Sequence, residues 1–325
     1  MMEDRRFDIS VVICTFDRPT ELGRLLAALA TQRTSLRFEV IVVENHPGPG
    51  WSPPSEGARW IQEPREGLSY ARNTGVQAAS APVVVFVDDD MEPAEAWLES
   101  LATPLLEDGY DAVTGPTVPI KLETVAERLF EAYGGHGHGS IRRVYNAAWL
   151  AAQRLKLPLW EVGGLGNAAI RRSVFERVGL FEEALGAGTA AGSWEDLDLI
   201  YRMLLAGCRI LHEPAAAVRH AHREDLVGLA RQLCGYRRGE VCFCLLILLR
   251  RGEWRAIPHL AIWIPYWRAK LFALEVLRRM RGNRLMSFGL MGRELLAYAS
   301  GPRALAASVR RRRAIEHAND GPRNR

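Results

Sequence analysis

Pro82-Val-Val-Val-Phe-Val-Asp-Asp-Asp90 sets five consecutive β-branched and aromatic apolar residues directly against three carboxylates. A short continuous apolar run of this kind predicts a strand buried on both faces, as in a parallel sheet covered by helices. The same signature recurs upstream in Ile9–Cys14 and in Phe38–Val43, with Trp60-Ile61 as a shorter candidate. Between these runs the apolar spacing turns helical, over Pro19–Thr31 (Leu22, Leu25, Leu26, Leu29) and over Leu68–Ala79. Strands alternating with helices predict a doubly wound α/β sheet, which binds ligands at the carboxyl ends of its strands. The three aspartates stand at such an end.

Further along, a helix is predicted over Trp97–Leu106, a strand over Ala112–Pro119, ordered structure over Gly163–Val178, and an amphipathic helix over Trp194–Ala206. Arg209–Leu211 and Ala216–Val218 are the last strand candidates. Pro47–Pro54 is turn-rich, and Gly134-Gly-His-Gly-His-Gly139 reads as a loop, either an idle linker or one that closes over a ligand. After about Asp225 the sequence becomes helix-forming, aromatic and basic. The predicted organisation is therefore residues 1–239 as one α/β body and residues 240–325 as a helical, basic region.

The 325 residues carry a formal net charge of +4, but residues 250–325 hold 17 Lys and Arg against 5 Asp and Glu, so the remainder is acidic. A basic tail on an acidic body predicts an anionic partner, for which a membrane surface and nucleic acid are the usual candidates. No recognition-helix, RNP-like or zinc-finger pattern accompanies the charge, so nucleic acid is not expected. Cys242–Leu249 (CFCLLILL) and Ile257–Trp267 (IPHLAIWIPYW) are intensely apolar but too short to span a bilayer. With Trp254, Trp263, Tyr266 and Trp267 among basic residues they fit an interfacial surface, and alternatively a helical subdomain packed on the body. Arg310–Arg313 adds a cationic tip. Five cysteines without zinc-site or disulfide spacing predict a reducing compartment, and the start of the chain lacks a secretory pattern. A cytoplasmic protein, peripheral at the cytoplasmic face of the membrane, is the expectation.

Carboxylates crowded at a strand end raise one another's pKa unless something positive sits there. A divalent cation answers that need for Asp88, Asp89 and Asp90, and oxygen ligands suit Mg²⁺ or Mn²⁺. Read by themselves, the three aspartates are equally a solvated turn or helix start. A second acidic cluster, Trp194-Glu-Asp-Leu-Asp198, follows the glycine-rich Gly186–Gly192, and Ser193 with Asp196 also has capping-box spacing. His220 and His222 lie two residues apart after the last strand, so on extended chain both point to one side.

Taken in order, VVICTFDRP, VIVVEN, GLSYARNTG, FVDDD, GNAAIRR and WEDLDL resemble the motifs of inverting family 2 glycosyltransferases, over about Asp8 to Gly239. The stretch Pro64-Arg-Glu-Gly-Leu-Ser-Tyr-Ala-Arg-Asn73 is similar to one found in several bacterial members. The resemblance implies the GT-A fold, a mostly parallel central sheet flanked by helices. It also implies transfer of a sugar from a nucleotide-sugar donor, UDP being the commonest, to an acceptor hydroxyl with inversion. Thr15, Arg18, Glu44, Arg72, Asn73, Asp88 and Asp89 would line the nucleotide site. Glu44 stands where the family usually has Asp, which leaves the base preference open. Asp88 and Asp90 match the DxD element, and with His220 they would hold a Mn²⁺ or Mg²⁺ ion. Asp196 matches the general base, and Gly163–Asn167 the segment facing donor and acceptor. Lipid-linked or polysaccharide acceptors follow from the same resemblance, as does an anionic membrane surface. A catalytically silent nucleotide- or lipid-binding scaffold of this fold is the alternative from another class. A sugar-phosphate nucleotidyltransferase would need a glycine- and lysine-rich loop where the chain reads CTFDRP. Neither a dinucleotide fingerprint, a P-loop nor a nucleophile elbow occurs.

Overall fold

A computed structural model describes residues 7–48, 57–135, 139–282 and 286–319. The start of the chain through residue 6, most of the turn-rich Pro47–Pro54 stretch, the histidines of the 134–139 loop and the last six residues lie outside these.

The elements run β1 (Ile9–Thr15), α1 (Pro19–Ala30), β2 (Phe38–Asn45), β3 (Arg59–Glu63), α2 (Leu68–Ala78), β4 (Val83–Val87), β5 (Met91–Pro93) and α3 (Trp97–Leu106). They continue as β6 (Ala112–Thr114), β7 (Thr117–Pro119), α4 (Val125–Ala132), β8 (Arg143–Tyr145), α5 (Ala147–Ala151), β9 (Asn167–Arg171), α6 (Arg172–Val178) and α7 (Glu195–Leu205). The last are β10 (Ile210–His212), β11 (Val218–His220), α8 (Leu226–Arg251), α9 (Ala256–Pro258), a π-helical turn His259–Trp263, α10 (Ile264–Met280) and α11 (Phe288–Asn319).

The main sheet has the order β3-β2-β1-β4-β9-β6-β10-β8. β1 to β4 pair in parallel, as their continuous apolar runs predict, and all five residues of β4 are buried. Their side chains alternate between two cores. Val84 and Phe86 pack with α2, α6, α7 and α8, whereas Val83, Val85 and Val87 pack with α1 and α3. Burial of each such side chain contributes roughly 1.5–3 kcal/mol, which makes this strand the anchor for the aspartates that follow it.

The right half of the sheet departs from the parallel expectation. β9 inserts antiparallel between β4 and β6, and β8 runs antiparallel along the β10 edge. Ala112–Pro119 is two strands instead of one. β6 stays in the main sheet, and β7 joins a small sheet of order β5-β11-β7. The break falls at Gly115-Pro116, where the chain crosses so close to the Ala216 carbonyl that a Cβ at Gly115 would collide with it. Asn167 pins this crossing through its amide, which donates to the carbonyls of Pro116 and Ala216. The small sheet places His220 opposite Met91, beside the aspartates.

Gly239, where the sequence suggested a division, lies inside the 26-residue α8. Cys242, Phe243, Cys244 and Ile247 of CFCLLILL belong to the main core, so this segment is packed interior and not an interfacial one. α11 crosses α8 closely: a Cβ at Gly301 would collide with Val241, and the Cys242 thiol reaches the Gly301 carbonyl. The Arg310–Arg313 tip is likewise docked in part. Arg311 donates to the carbonyls of Glu66 and Gly188, and Arg312 pairs with Glu182 at 2.7 Å. Among the described residues, no helix is long and apolar enough to cross a membrane.

Candidate active site

The site gathers at the carboxyl ends of β1, β2 and β4. Thr15 closes β1 beside Glu44 of β2, and the Thr15 hydroxyl donates to Asp89 at 2.8 Å. The Asp17 backbone N–H donates to Glu44 at 3.2 Å, in a left-handed conformation that turns the chain into α1. One step on, the Arg18 guanidinium bridges Asp89 at 3.0 Å and Asp90 at 2.9 Å. Burial pushes the Asp89 carboxyl up to about 6, with Arg18 acting against that rise. For Asp90, burial also opposes the charge, but the hydrogen bond and charge of His220, then Arg18, outweigh it and hold the carboxyl down to about 2.

Asp88 engages a different arginine. Its carboxylate receives Arg72 of α2 at 3.0 Å, and the second edge of the same guanidinium reaches Glu195 of α7 at 2.8 Å. Arg72 is 3% exposed. Arg72 is thus a buried bridge and not an exposed surface cation. Its neighbour Asn73 has other partners. The Asn73 amide donates to the Phe181 carbonyl and to Glu183, and accepts the Phe181 N–H, so it clamps the loop after α6. Adjacent helical residues point about 100° apart, which separates the two roles.

Gly163–Asn167 joins the two acidic clusters. The Asp88 N–H donates to the Gly166 carbonyl, and a Cβ at Gly166 would collide with the Asp88 carboxylate. Two residues earlier, a Cβ at Gly164 would stand 3.6 Å from Asp196 Oδ2. The glycines thus let both carboxylates approach one strip of backbone. Asp196 sits in the first turn of α7, and its carboxylate accepts the Leu197 N–H. The capping-box reading of Ser193 is not what forms. Trp194 occupies the N-cap in a left-handed conformation, while the Ser193 hydroxyl donates to the Gly235 carbonyl of α8. The Trp194 indole donates to the Tyr236 carbonyl and stacks on Phe243, so α8 sets the start of α7. Burial raises the pKa of both Glu195 and Asp196; Glu195 is raised further by Asp196, and Arg72 opposes both shifts.

His220 completes the cluster, with Nε2 3.4 Å from Asp90 Oδ1. Its Nδ1 lies 2.9 Å from His222 Nδ1, and His222 Nε2 lies 2.8 Å from Glu131 of α4. Burial lowers the His222 pKa despite the Glu131 hydrogen bond, which favours a neutral ring. A neutral His222 that donates from Nε2 to Glu131 accepts at Nδ1, so His220 donates from its own Nδ1. In that tautomer a neutral His220 presents a bare Nε2 lone pair beside Asp90, which suits a cation, whereas a hydrogen bond from Nε2 to Asp90 forms only when both ring nitrogens carry protons. A histidine whose far nitrogen is fixed through a carboxylate is the arrangement that metal-binding sites use. Among the described residues no three His, Cys, Asp or Glu side chains already converge as a cation cage. Instead Arg18 supplies positive charge to Asp89 and Asp90, and Arg72 to Asp88. Hard oxygen donors with one oriented imidazole fit Mn²⁺ or Mg²⁺.

Glu195 and Glu131 were not singled out from the sequence. Glu195 stands within the WEDLDL motif next to the expected base, whereas Glu131 is 91 positions from its histidine and carries no local signal.

The sequence profile of glycosyl transferase family 2 matches residues 10–179. The chain is 33% identical over 230 residues to a pre-mycofactocin glycosyltransferase of Mycobacterium tuberculosis, covering 67% of this chain and 44% of that protein. It thus spans less than half the length of that relative. It is 28% identical over 244 residues to the succinoglycan biosynthesis protein ExoM of Rhizobium meliloti, covering 70% of this chain and 72% of the other. Among solved structures, the crystal structure of S. aureus TarS aligns with a TM-score of 0.49 at 17% identity, over 74% of this chain and 40% of that one.

Proposed function

The chain belongs to glycosyl transferase family 2, and from that premise we propose that it moves a sugar from a nucleotide-sugar donor, most simply a UDP-sugar, to an acceptor hydroxyl with inversion. One observation carries this reading: Asp88 and Asp196 approach the same Gly164–Gly166 backbone, with Arg72 joining Asp88 to Glu195 and His220 beside Asp90. Diphosphate-binding and proton-accepting groups are thereby within one substrate's reach of each other.

Asp196 takes the proton of the acceptor hydroxyl as that oxygen attacks the anomeric carbon. The new glycosidic bond forms on the face opposite the breaking bond to the diphosphate, so a single displacement inverts the centre. Burial, with the charge of Asp88, raises the Asp196 pKa and strengthens it as a base. Arg72 holds Glu195 beside it and keeps the pair from gathering more negative charge than the site tolerates. Thr15, Glu44 and Asp89 form the floor at the ends of β1, β2 and β4, the place this reading gives the nucleotide, and Arg18 is the cation at its mouth. Asp88, Asp90 and His220 would hold a Mn²⁺ or Mg²⁺ ion, which neutralises charge building on the departing diphosphate.

The acceptor in this reading is a polysaccharide or lipid-linked glycan, met at the cytoplasmic face of an anionic membrane. Five free cysteines are in keeping with a reducing compartment.

The test is transfer and donor hydrolysis across a nucleotide-sugar panel, with and without Mn²⁺, comparing wild type with Asp90→Ala and Asp196→Asn. Each variant should lose roughly 10²–10⁴-fold in turnover. Turnover that survives both substitutions and chelation would sink the mechanism.

A further inference from the structure

α10 is built inside out. The stripe it turns toward the protein runs Ile264, Arg268, Leu271 and Glu275, and both charged members are buried. Arg268 pairs with Glu294 of α11 at 2.6 Å and reaches the Tyr133 hydroxyl at the end of α4. Glu275 accepts the Met286 N–H and pairs with Arg279. The opposite stripe, which a water-facing helix fills with polar groups, carries Ile262, Tyr266, Ala269, Ala273, Leu277 and Met280. Ile262 is 55% exposed, Tyr266 57% and Met280 78%. Trp267 and Phe272 flank this stripe, both exposed, with Trp263 stacked on Trp267.

The charge on this face has one sign. Lys270, Arg278 and Arg281 are exposed among the apolar residues, while the one acid of residues 256–282, Glu275, is buried. From Ala256 to Met280 the helical stretch is about 37 Å long. That length could reach across a bilayer, but the inward stripe is spent on ion pairs with the body, and no described helix qualifies as a span. An outward apolar and aromatic stripe, edged only by cations, matches the boundary between lipid acyl chains and anionic headgroups.

We infer that the outward face of α9–α10 is a monotopic docking surface for an anionic lipid bilayer. The helix lies flat, with Ile262, Tyr266, Leu277 and Met280 entering the interface and Lys270, Arg278 and Arg281 meeting lipid phosphates. Leu271 of α10 packs against the cluster that contains Leu129 and Phe130 of α4, and α4 also carries Glu131, the partner of His222. Docking therefore holds the acidic site at a fixed height over the membrane through two packed helices. This deepens the membrane part of the proposed function and names the surface that performs it.

The experiment is flotation of the full chain with vesicles of phosphatidylcholine alone or of phosphatidylcholine and phosphatidylglycerol in equal amounts, with size-exclusion of the lipid-free protein. Wild type should float with the anionic vesicles, and rising salt should weaken it. Tyr266→Ser combined with Leu277→Ser, and separately Lys270→Glu combined with Arg278→Glu, should each weaken binding about tenfold or more with unchanged melting temperature, since the inward stripe is untouched. Absence of wild-type flotation, flotation indifferent to both variants, or a lipid-free dimer that the Tyr266 and Leu277 changes dissociate would each overturn the inference. No donor or metal enters this assay, so its failure leaves the glycosyl-transfer reading standing, and failure of transfer leaves the docking surface standing.

Discussion

Arg72 on α2 lies 2.8 Å from Glu195 on α7, an ion pair that spans 123 positions of sequence and is almost wholly withdrawn from water. Its other edge rests on Asp88, so one guanidinium serves both acidic clusters. Replacement by Met leaves two carboxylates without their cation. Arg72→Met should lower unfolding stability by roughly 3–5 kcal/mol in urea titration. Arg72→Lys keeps the charge but cannot engage both carboxylates at once, so it should fall between the two while still losing activity.

The Glu195 and Asp196 carboxyls titrate as a pair, both raised by burial, Glu195 further by Asp196 and Asp196 further by Asp88. Transfer needs the base ionised, so kcat/KM should climb with pH through an apparent pKa above the ordinary carboxylate range near about 4. Stability should run the other way. A carboxyl whose folded pKa is raised adds stability that is fully present below its unfolded pKa and is lost as pH rises through the folded value. Parallel pH profiles of kcat/KM and melting temperature test this, and Asp196→Asn should flatten both. Coincident rising trends would contradict it.

Glu131 and His222 act on His220 from behind. His222→Ala should weaken Mn²⁺ binding, measured calorimetrically in the presence of nucleoside diphosphate, by about 10–100-fold. Glu131→Gln should weaken it less, because the amide oxygen and nitrogen still offer a partner at that distance. A lower melting temperature with unchanged Mn²⁺ affinity would reduce the pair to packing, where His222 already meets Phe130 edge-on at 4.9 Å.

Asn73 makes a contrasting case. Asn73→Ala removes two donated bonds and the acceptor for the Phe181 N–H, and should cost about 1–3 kcal/mol in stability. Nucleotide affinity, measured by calorimetry where both proteins are folded, should match wild type. A large loss of affinity at unchanged stability would return Asn73 to the binding site.

The parts of this fold that could be read from sequence are those where one physical requirement dominates. β4 is buried on both faces and apolar without interruption, β1 and β2 are nearly so, and the aspartates at the end of β4 stand out against that background. β9 lacks such a signal: Asn167–Arg171 is short and rich in small residues, and its place between β4 and β6 is a matter of long-range pairing. The division near Gly239 followed a change of composition, yet α8 runs through it because the same helix serves first the site and then the core. In α10 the pattern of apolar residues was visible, but its direction was not, since Arg268 and Glu275 turn inward to partners on other segments, Tyr133 and Glu294 for Arg268 and the Met286 N–H for Glu275. Glu131 was silent for the same reason. Arg72 and Asn73 are neighbours in one motif, but on a helix they face different ways, so the motif by itself does not show that one bridges the acidic clusters while the other clamps the loop after α6.

α8 begins six residues after His220, props the start of α7 through Gly235 and Tyr236, and then seals the sheet with Phe243, Cys244 and Ile247. A fragment cut just before α8 would therefore lose its keel: the apolar wall under β4 would open to water, and Asp196 would start from an unsupported turn. Recombinant pieces, domain swaps or chimaeras made from this chain must carry the helix whole, to Arg251 and with the α11 that crosses it. Specificity can be exchanged around this beam only by changing loops, not by cutting it.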